Sequence, residues 1–203
     1  MASTWETLNA PSSVLPKDPS APFTLTTPPK TDIWRHPTLN SFNAPAVGRR
    51  VPFKHFTSIK TTVSGPWRTQ FDQGGLFLVF LPSPSSEPSK SQWVKAGIEF
   101  FNGEAKLGVV GTDKYSDWSL CPMFEKGQSA TFEAVKDGET LWVYVVVGGK
   151  REALREVKWA EMEREGEIWV GVYAAKPTAE EGDAEKGLEV RFEGVEVVTG
   201  DGK

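Results

Sequence analysis

The 203-residue chain has one cysteine, two histidines and no apolar run long enough to span a bilayer. Each scarcity excludes something. Cys121 cannot close an internal disulfide, and no Asn-x-Ser/Thr sequon occurs, so the chain fits a reducing, unglycosylated compartment. Cys121 stands beside Pro122 with no histidine near it in sequence, and it reads as a packed thiol rather than a nucleophile. His36 and His55 form no His-x-His or Cys/His spacing, so no metal site is expected, and Asp183 to Glu185 reads as a solvated acidic face. No cofactor is expected. The start lacks a basic segment followed by an apolar one, which leads to the expectation of a cytoplasmic protein with no membrane partner. Twenty-seven Asp and Glu outnumber 23 Lys and Arg, giving a net charge of -4, so a nucleic-acid backbone would be repelled and nucleic acid is not an expected partner.

What is plentiful is proline (15), glycine (19) and tryptophan (8), a balance that favours turns and broad flat side chains, hence β structure. The length suits one β domain over 1–203. Prolines 11, 16, 19, 22, 28 and 29 forbid helix in the first thirty residues and predict an extended arm (about 1–30) anchored by Phe23 and Leu25. Strands are predicted over Phe53 to Val63 and over Leu76 to Leu81, the latter apolar on both faces and therefore central. The Pro/Ser-rich stretch 82–91 is expected to be a mobile surface loop. Trp93 to Phe101 and Ala105 to Thr112 flank Asn102-Gly103, a hairpin signal, and Ala130 to Lys136 and Thr140 to Val147 flank Asp137-Gly138, read as a type I′ turn. Ala153 to Ala160, Glu167 to Ala174 and Gly187 to Val198 complete an all-β, two-sheet antiparallel sandwich or jelly roll.

Alternation then separates two faces. In Trp93 to Phe101, Val94, Ala96, Ile98 and Phe100 form a core row, while Trp93, Lys95, Gly97 and Glu99 form a row with a stacking surface, a cation and a carboxylate. Such a row can floor a groove for a polar ligand. Trp142 and Tyr144 oppose Leu141, Val143 and Val145, and Trp169, Gly171 and Tyr173 oppose Ile168, Val170 and Val172. Extending the polar face across strands adds Tyr144 and Arg155, and the Gly74-Gly75 pair allows Asp72 and Gln73 to aim into the groove, unless Asp72 caps its own turn. Asp117 and Trp118 in Ser116-Asp-Trp-Ser119 read more simply as a polar loop with a buried ring.

The expected ligand-binding set is thus Trp93, Lys95, Glu99, Asp72, Gln73, Tyr144 and Arg155. A retaining glycosidase pair would need two carboxylates facing each other, and Glu99-Phe-Phe-Asn-Gly-Glu104 puts a turn between its two. The leading expectation is therefore a module that binds a small carbohydrate or polar metabolite. The alternative is an enzyme on a similar substrate, a lyase, isomerase or hydrolase with Lys95 or Tyr144 as base and Glu99 as acid.

Five blocks, Thr31-Asp-Ile-Trp-Arg, Phe71-Asp-Gln-Gly-Gly-Leu, Trp93-Val-Lys-Ala-Gly-Ile-Glu, Ser116-Asp-Trp-Ser and Trp169-Val-Gly-Val-Tyr-Ala-Ala, together resemble the YesU-like family, whose fungal branch is named after a yeast regulator-of-enolase protein. They cover the chain from about Asp32 to Phe192. The resemblance implies a concanavalin A-like jelly roll, an intracellular location and, through the regulatory name, a possible protein partner in carbon metabolism.

Overall fold

Strict alternation of apolar and other residues forces most strands to choose an inner and an outer face, and a computed structural model, described here for residues 4–125 and 127–200, shows two large antiparallel sheets packed on one another. In chain order the strands are β1 (Trp5–Leu8), β2 (Phe23–Thr27), β3 (Ile33–His36), β4 (Leu39–Phe42), β5 (Ala46–Pro52), β6 (Phe56–Ser64), β7 (Gln73–Leu81) and β8 (Gln92–Phe101). They continue with β9 (Glu104–Thr112), β10 (Ser116–Pro122), β11 (Ser129–Asp137), β12 (Thr140–Val147), β13 (Lys150–Val157), β14 (Glu167–Ala175) and β15 (Leu188–Thr199). One sheet has the order β1-β5-β14-β7-β8-β9-β10, the other β13-β12-β11-β6-β15-β2, and β3 and β4 form a separate hairpin.

The main core lies between the sheets, where Leu76, Leu78 and Phe80 of β7 and Val94, Ala96 and Ile98 of β8 meet Ile59, Val63, Phe132 and Val143 of the second sheet. β7 is buried along its whole length, as a run apolar on both faces requires. A second apolar cluster covers the far face of the seven-stranded sheet: Phe77, Val79, Trp93, Trp169 and Tyr173 pack under Ile33, Trp34 and Phe42 of the β3–β4 hairpin. The hairpin is tied down by Arg35, whose guanidinium donates to the Ser89 and Ser91 carbonyls at 2.8 and 2.9 Å and whose backbone N–H donates to Ser116 Oγ at 2.8 Å.

Several local expectations shift. The arm is part of the fold, with β2 paired to β15 and Leu25 buried, while β1 adds an edge strand to the other sheet that alternation alone does not announce. Phe53–His55 is a short 3-10 turn before β6. The β11–β12 turn is Gly138-Glu139, one residue later than expected; Asp137 pairs with Thr140, and only Gly138 has positive φ, so the turn is not type I′, which needs both central residues there. Asn102-Gly103 behaves as read, with φ of 51° and 84°. The stretch 82–91 contains the 3-10 turn Pro88–Lys90, and its carbonyls are the anchor for Arg35. No helix among the described residues is long and apolar enough to cross a membrane.

Candidate functional site

The outward row of β8 becomes a site through its neighbours' register. Phe77 on β7, Lys95 on β8, Val110 on β9 and Trp118 on β10 lie in one cross-strand row, and Gln73, Glu99 and Lys106 in another. Between them runs Gly75, Gly97 and Gly108. A Cβ at Gly97 would fall 2.0 Å from the Gly74 carbonyl oxygen, so the strands approach there only because both rows skip a side chain. The resulting depression, roofed on one side by the β3–β4 hairpin, is a cleft of about 200 Å³ lined by Asp32, Trp34, Phe71, Gln73, Lys95, Glu99, Val110 and Trp118. At ~30 Å³ per water, that is room for six or seven waters or one small molecule.

Its polar half is a chain of hydrogen bonds. Lys95 Nζ, 3% exposed, donates to Gln73 Oε1 at 2.6 Å and reaches Asp32 Oδ1 at 3.4 Å, and the buried Tyr173 hydroxyl donates to the same Gln73 oxygen at 3.0 Å. The ammonium also sits 5.7 Å from the Tyr173 ring centre, within cation-π range. Asp32 is held by Asn43 and accepts from the Ile33 N–H at 2.7 Å. Glu99 is the exception: buried, it makes no ion pair among the described residues, and burial pushes its carboxyl up to about 7, with Lys95 opposing and Asp32 adding to the rise. The Trp118 indole N–H weakly favours the carboxylate, but its buried nitrogen falls outside hydrogen-bond geometry and has no partner.

The apolar half is Val110 and the rings of Trp34, Phe71 and Trp118. Trp118 meets Trp34 edge-on at 6.3 Å and Phe71 at 6.3 Å, and is backed by Phe101 at 5.3 Å. Phe71 holds a left-handed backbone, φ 70°, a conformation that costs a non-glycine residue about 1–2 kcal/mol. Asp72 sustains it. The Asp72 carboxylate accepts from the Arg68 and Thr69 backbone N–H groups at 3.2 and 3.0 Å and pairs with fully buried Lys176 at 3.1 Å, closing the turn that presents Phe71.

Of the seven residues expected from sequence, Lys95, Glu99 and Gln73 line this cleft. The other four sit elsewhere. Trp93 is fully buried one row away, edge-on to Phe77 at 6.1 Å beneath the hairpin, because the β3–β4 cover fills the space over it. Asp72 points away from Gln73 and caps its own turn, since alternation sends neighbours to opposite faces. Tyr144 lies on the other sheet, stacked on Trp142 and beside Arg151, because parity within a strand does not say which sheet the strand joins. That removes it as a partner for Glu99. Arg155 on β13 donates to the Asp117 carbonyl and Ser119 Oγ of β10, linking the two sheets at their edges.

Asp32, Trp34, Phe71, Val110, Trp118 and the supporting Tyr173 were not in the expected set. Trp118, read as a buried ring, is in the wall, and Asp117 beside it is exposed. The signal that could have found most of them is present in the five sequence blocks, each of which supplies at least one member of the cleft or its support. Among the described residues no group of three or more His, Cys, Asp or Glu is placed to hold a metal ion.

Two packed antiparallel sheets define the class, a jelly-roll β-sandwich, here with a polar, aromatic-walled cleft on the outer face of the larger sheet. The chain belongs to the family described as protein of unknown function DUF1349, whose model matches residues 7–199. An uncharacterized protein of Emericella nidulans is 37% identical over 174 residues, covering 83% of this chain and 85% of that one. Regulation of enolase protein 1 of Saccharomyces cerevisiae is 32% identical over 124 residues, 57% of this chain and 52% of its own length. Among solved structures, a functionally unknown protein from Saccharomyces cerevisiae superposes with a TM-score of 0.74 at 24% identity, over 98% of this chain and 97% of that one. A xylan beta-1,4-xylosidase from Bacillus halodurans gives 0.58 at 15% identity, over 88% of this chain but 35% of the enzyme, and shares the fold.

Proposed function

We propose that the cleft binds a small carbohydrate or other polyol, and that the protein does so in the cytoplasm. The observation that carries this reading is one cleft combining aromatic walls with hydrogen-bonding groups that still have capacity. Lys95 spends two donors on Gln73 and Asp32 and keeps a third, and among the described residues Glu99 has no ion pair and the Trp118 N–H near it completes no hydrogen bond. A pair of adjacent hydroxyls can accept from Lys95 and Trp118 while donating to Glu99, and the C–H face of a sugar can lie on Trp34, Phe71 or Trp118. The unpaired Cys121 and the lack of glycosylation sequons support the location. A yeast relative named Regulation of enolase protein 1 makes a sugar-responsive regulator, acting on a protein partner, a fitting role for such a site.

Calorimetry or ligand-observed NMR with a panel of neutral monosaccharides and polyols tests the reading. Wild type is expected to bind at least one with millimolar affinity, and Trp118→Ala and Lys95→Met to weaken it about tenfold each. No binding by any panel member at about 10 mM would end it.

A second reading rests on Glu99 alone. A carboxyl near 7 beside a lysine can give and take protons at neutral pH, as an acid-base catalyst must. Incubating a reducing sugar with the protein in D₂O should then produce exchange at the carbon next to its carbonyl that Glu99→Gln abolishes; absence of exchange across the panel discards catalysis of that kind.

A further inference from the structure

We propose that the ligand carries a protonated amine, an amino sugar or similar amino-polyol, with its ammonium seated against Glu99. This rests on the polyol reading and narrows it.

The argument is charge balance inside the cleft. Its lining holds one cation, Lys95, and two carboxyl groups, Asp32 and Glu99. Lys95 makes its direct contacts with Gln73 Oε1 at 2.6 Å and Asp32 Oδ1 at 3.4 Å, so its charge reaches Glu99 only from a distance and offsets part of the burial, not all of it. Glu99 is left over. Lys106, its cross-strand neighbour on β9, turns to Glu104; the Tyr173 phenol on β14 is fully buried, with its own ionisation pushed well up by burial and by Glu99 and Asp32. No other cation faces Glu99 among the described residues. Gly108 beneath it adds no side chain, since a Cβ there would stand 3.3 Å from Glu99 Oε2. The carboxyl is thus buried, open to the cleft and, among the described residues, without an ion pair, with only the Trp118 indole N–H and the more distant Lys95 charge favouring its ionised form.

A neutral hydroxyl would satisfy its hydrogen bonding but leave its charge unanswered, whereas an ammonium answers both. The rings of Trp34, Phe71 and Trp118 add to the preference, because their faces attract cations and gain nothing from anions. An acidic sugar, by contrast, would meet two carboxyl groups and a lysine already engaged. Seating an ammonium must also ionise Glu99, which near neutral pH is partly protonated, so binding should release a proton.

Glucose, glucosamine and glucuronate differ at one substituent and make the comparison direct. Calorimetry at pH 6.5, where the amine is mostly protonated, is expected to show glucosamine binding roughly tenfold tighter than glucose, and glucuronate weaker than either. Repeating the titration in buffers of different ionisation enthalpy should show release of part of a proton with glucosamine and none with glucose. Glu99→Gln should abolish the release and leave glucosamine no tighter than glucose when both are measured on that variant; its thermal transition, compared with wild type, establishes that the variant is folded. Equal affinities for glucose and glucosamine, tighter binding of glucuronate, or an advantage that survives in Glu99→Gln overturns the proposal and leaves the polyol reading standing. If none of the three sugars nor any neutral polyol binds, both fall together.

Discussion

Asp72 and Gln73 are adjacent in the chain, and each belongs to a buried cluster containing a lysine, yet the two clusters are built in opposite ways. Around Asp72 each charged group has its partner: the carboxylate oxygens accept from Lys176 and two backbone N–H groups, and Lys176 also donates to the Thr69 hydroxyl at 2.9 Å. Around Gln73 the bonding stops short, with Glu99 lacking an ion pair and the Trp118 N–H lacking a partner among the described residues. The first cluster is closed and holds a turn; the second is open and faces a cleft. Burial of charge therefore does not distinguish the open cluster from the closed one, while unfilled hydrogen-bonding capacity does, although buried N–H groups of Arg49, Trp93, Arg164 and Trp169 outside the cleft also lack partners among the described residues. The two are coupled mechanically, since the closed cluster supports the strained Phe71 that walls the open one.

The sharpest way to break this contrast is to remove one partner from each cluster. Asp72→Ala strands a fully buried ammonium and is expected to cost about 3–5 kcal/mol in chemical denaturation. Asp72→Leu combined with Lys176→Met should recover most of that loss, because it is the uncompensated charge that is expensive. Lys95→Met is expected to cost only about 1–2 kcal/mol, since Asp32 keeps some water and Gln73 keeps the Tyr173 hydroxyl. Equal costs for Asp72→Ala and Lys95→Met would erase the distinction.

Next in size is the pH dependence of the open cluster. The folded Glu99 carboxyl is raised from 4.5 to about 7, so the folded state holds a proton that the unfolded chain releases earlier. Its contribution to stability is complete below pH 4.5, declines as pH rises, and is gone above about 7. Relative to Glu99→Gln, wild type should lose up to about 3 kcal/mol across that window. Denaturation curves of both proteins from pH 4 to 8 measure it, and parallel curves would show that Glu99 is not a strained, unpaired acid. A smaller effect is expected at the floor between the rows: Gly97→Ala should cost about 1–3 kcal/mol and weaken any cleft ligand, because its Cβ must push β7 and β8 apart.

Much of the fold was legible in the sequence, and for a definite reason. A two-residue period assigns faces within a strand, and turn residues such as Asn102-Gly103 fix hairpins, so β8, β9 and β14 are legible almost residue by residue, while β7 begins at Gln73, three residues before the apolar run that announces it. The same period is blind to which strands share a sheet. That is why sequence parity groups Tyr144 with Lys95 although it lies on the other sheet, and puts Trp93 on an open floor although the β3–β4 hairpin covers it. Nor does a pattern within one strand show how register aligns Gly75, Gly97 and Gly108 into a depression. Asp32 and Trp34 come from a hairpin some sixty residues upstream of Lys95, and only tertiary packing brings them there; the separation of Asp32 and Lys95, 63 positions, is beyond any local rule.

Arg155 offers the smallest and most discriminating comparison, because it shares chemistry with the cleft residues but not their place. Its guanidinium crosses from β13 to β10, donating to the Asp117 carbonyl at 3.0 Å and to Ser119 Oγ at 2.8 Å, next to the strand that carries Trp118. Both bonds lie toward solvent, so Arg155→Ala is expected to cost no more than about 1 kcal/mol. Ser119 and Trp118 are consecutive on a strand and point to opposite faces, so losing the bond on one face should leave the indole on the other in place, held by Trp34, Phe71 and Phe101. Affinity for any sugar that Lys95→Met weakens tenfold should therefore stay within about twofold of wild type in Arg155→Ala. A larger loss would mean that the edge of β10 moves with the cleft, and that the boundary between scaffold and site runs through β13 as well.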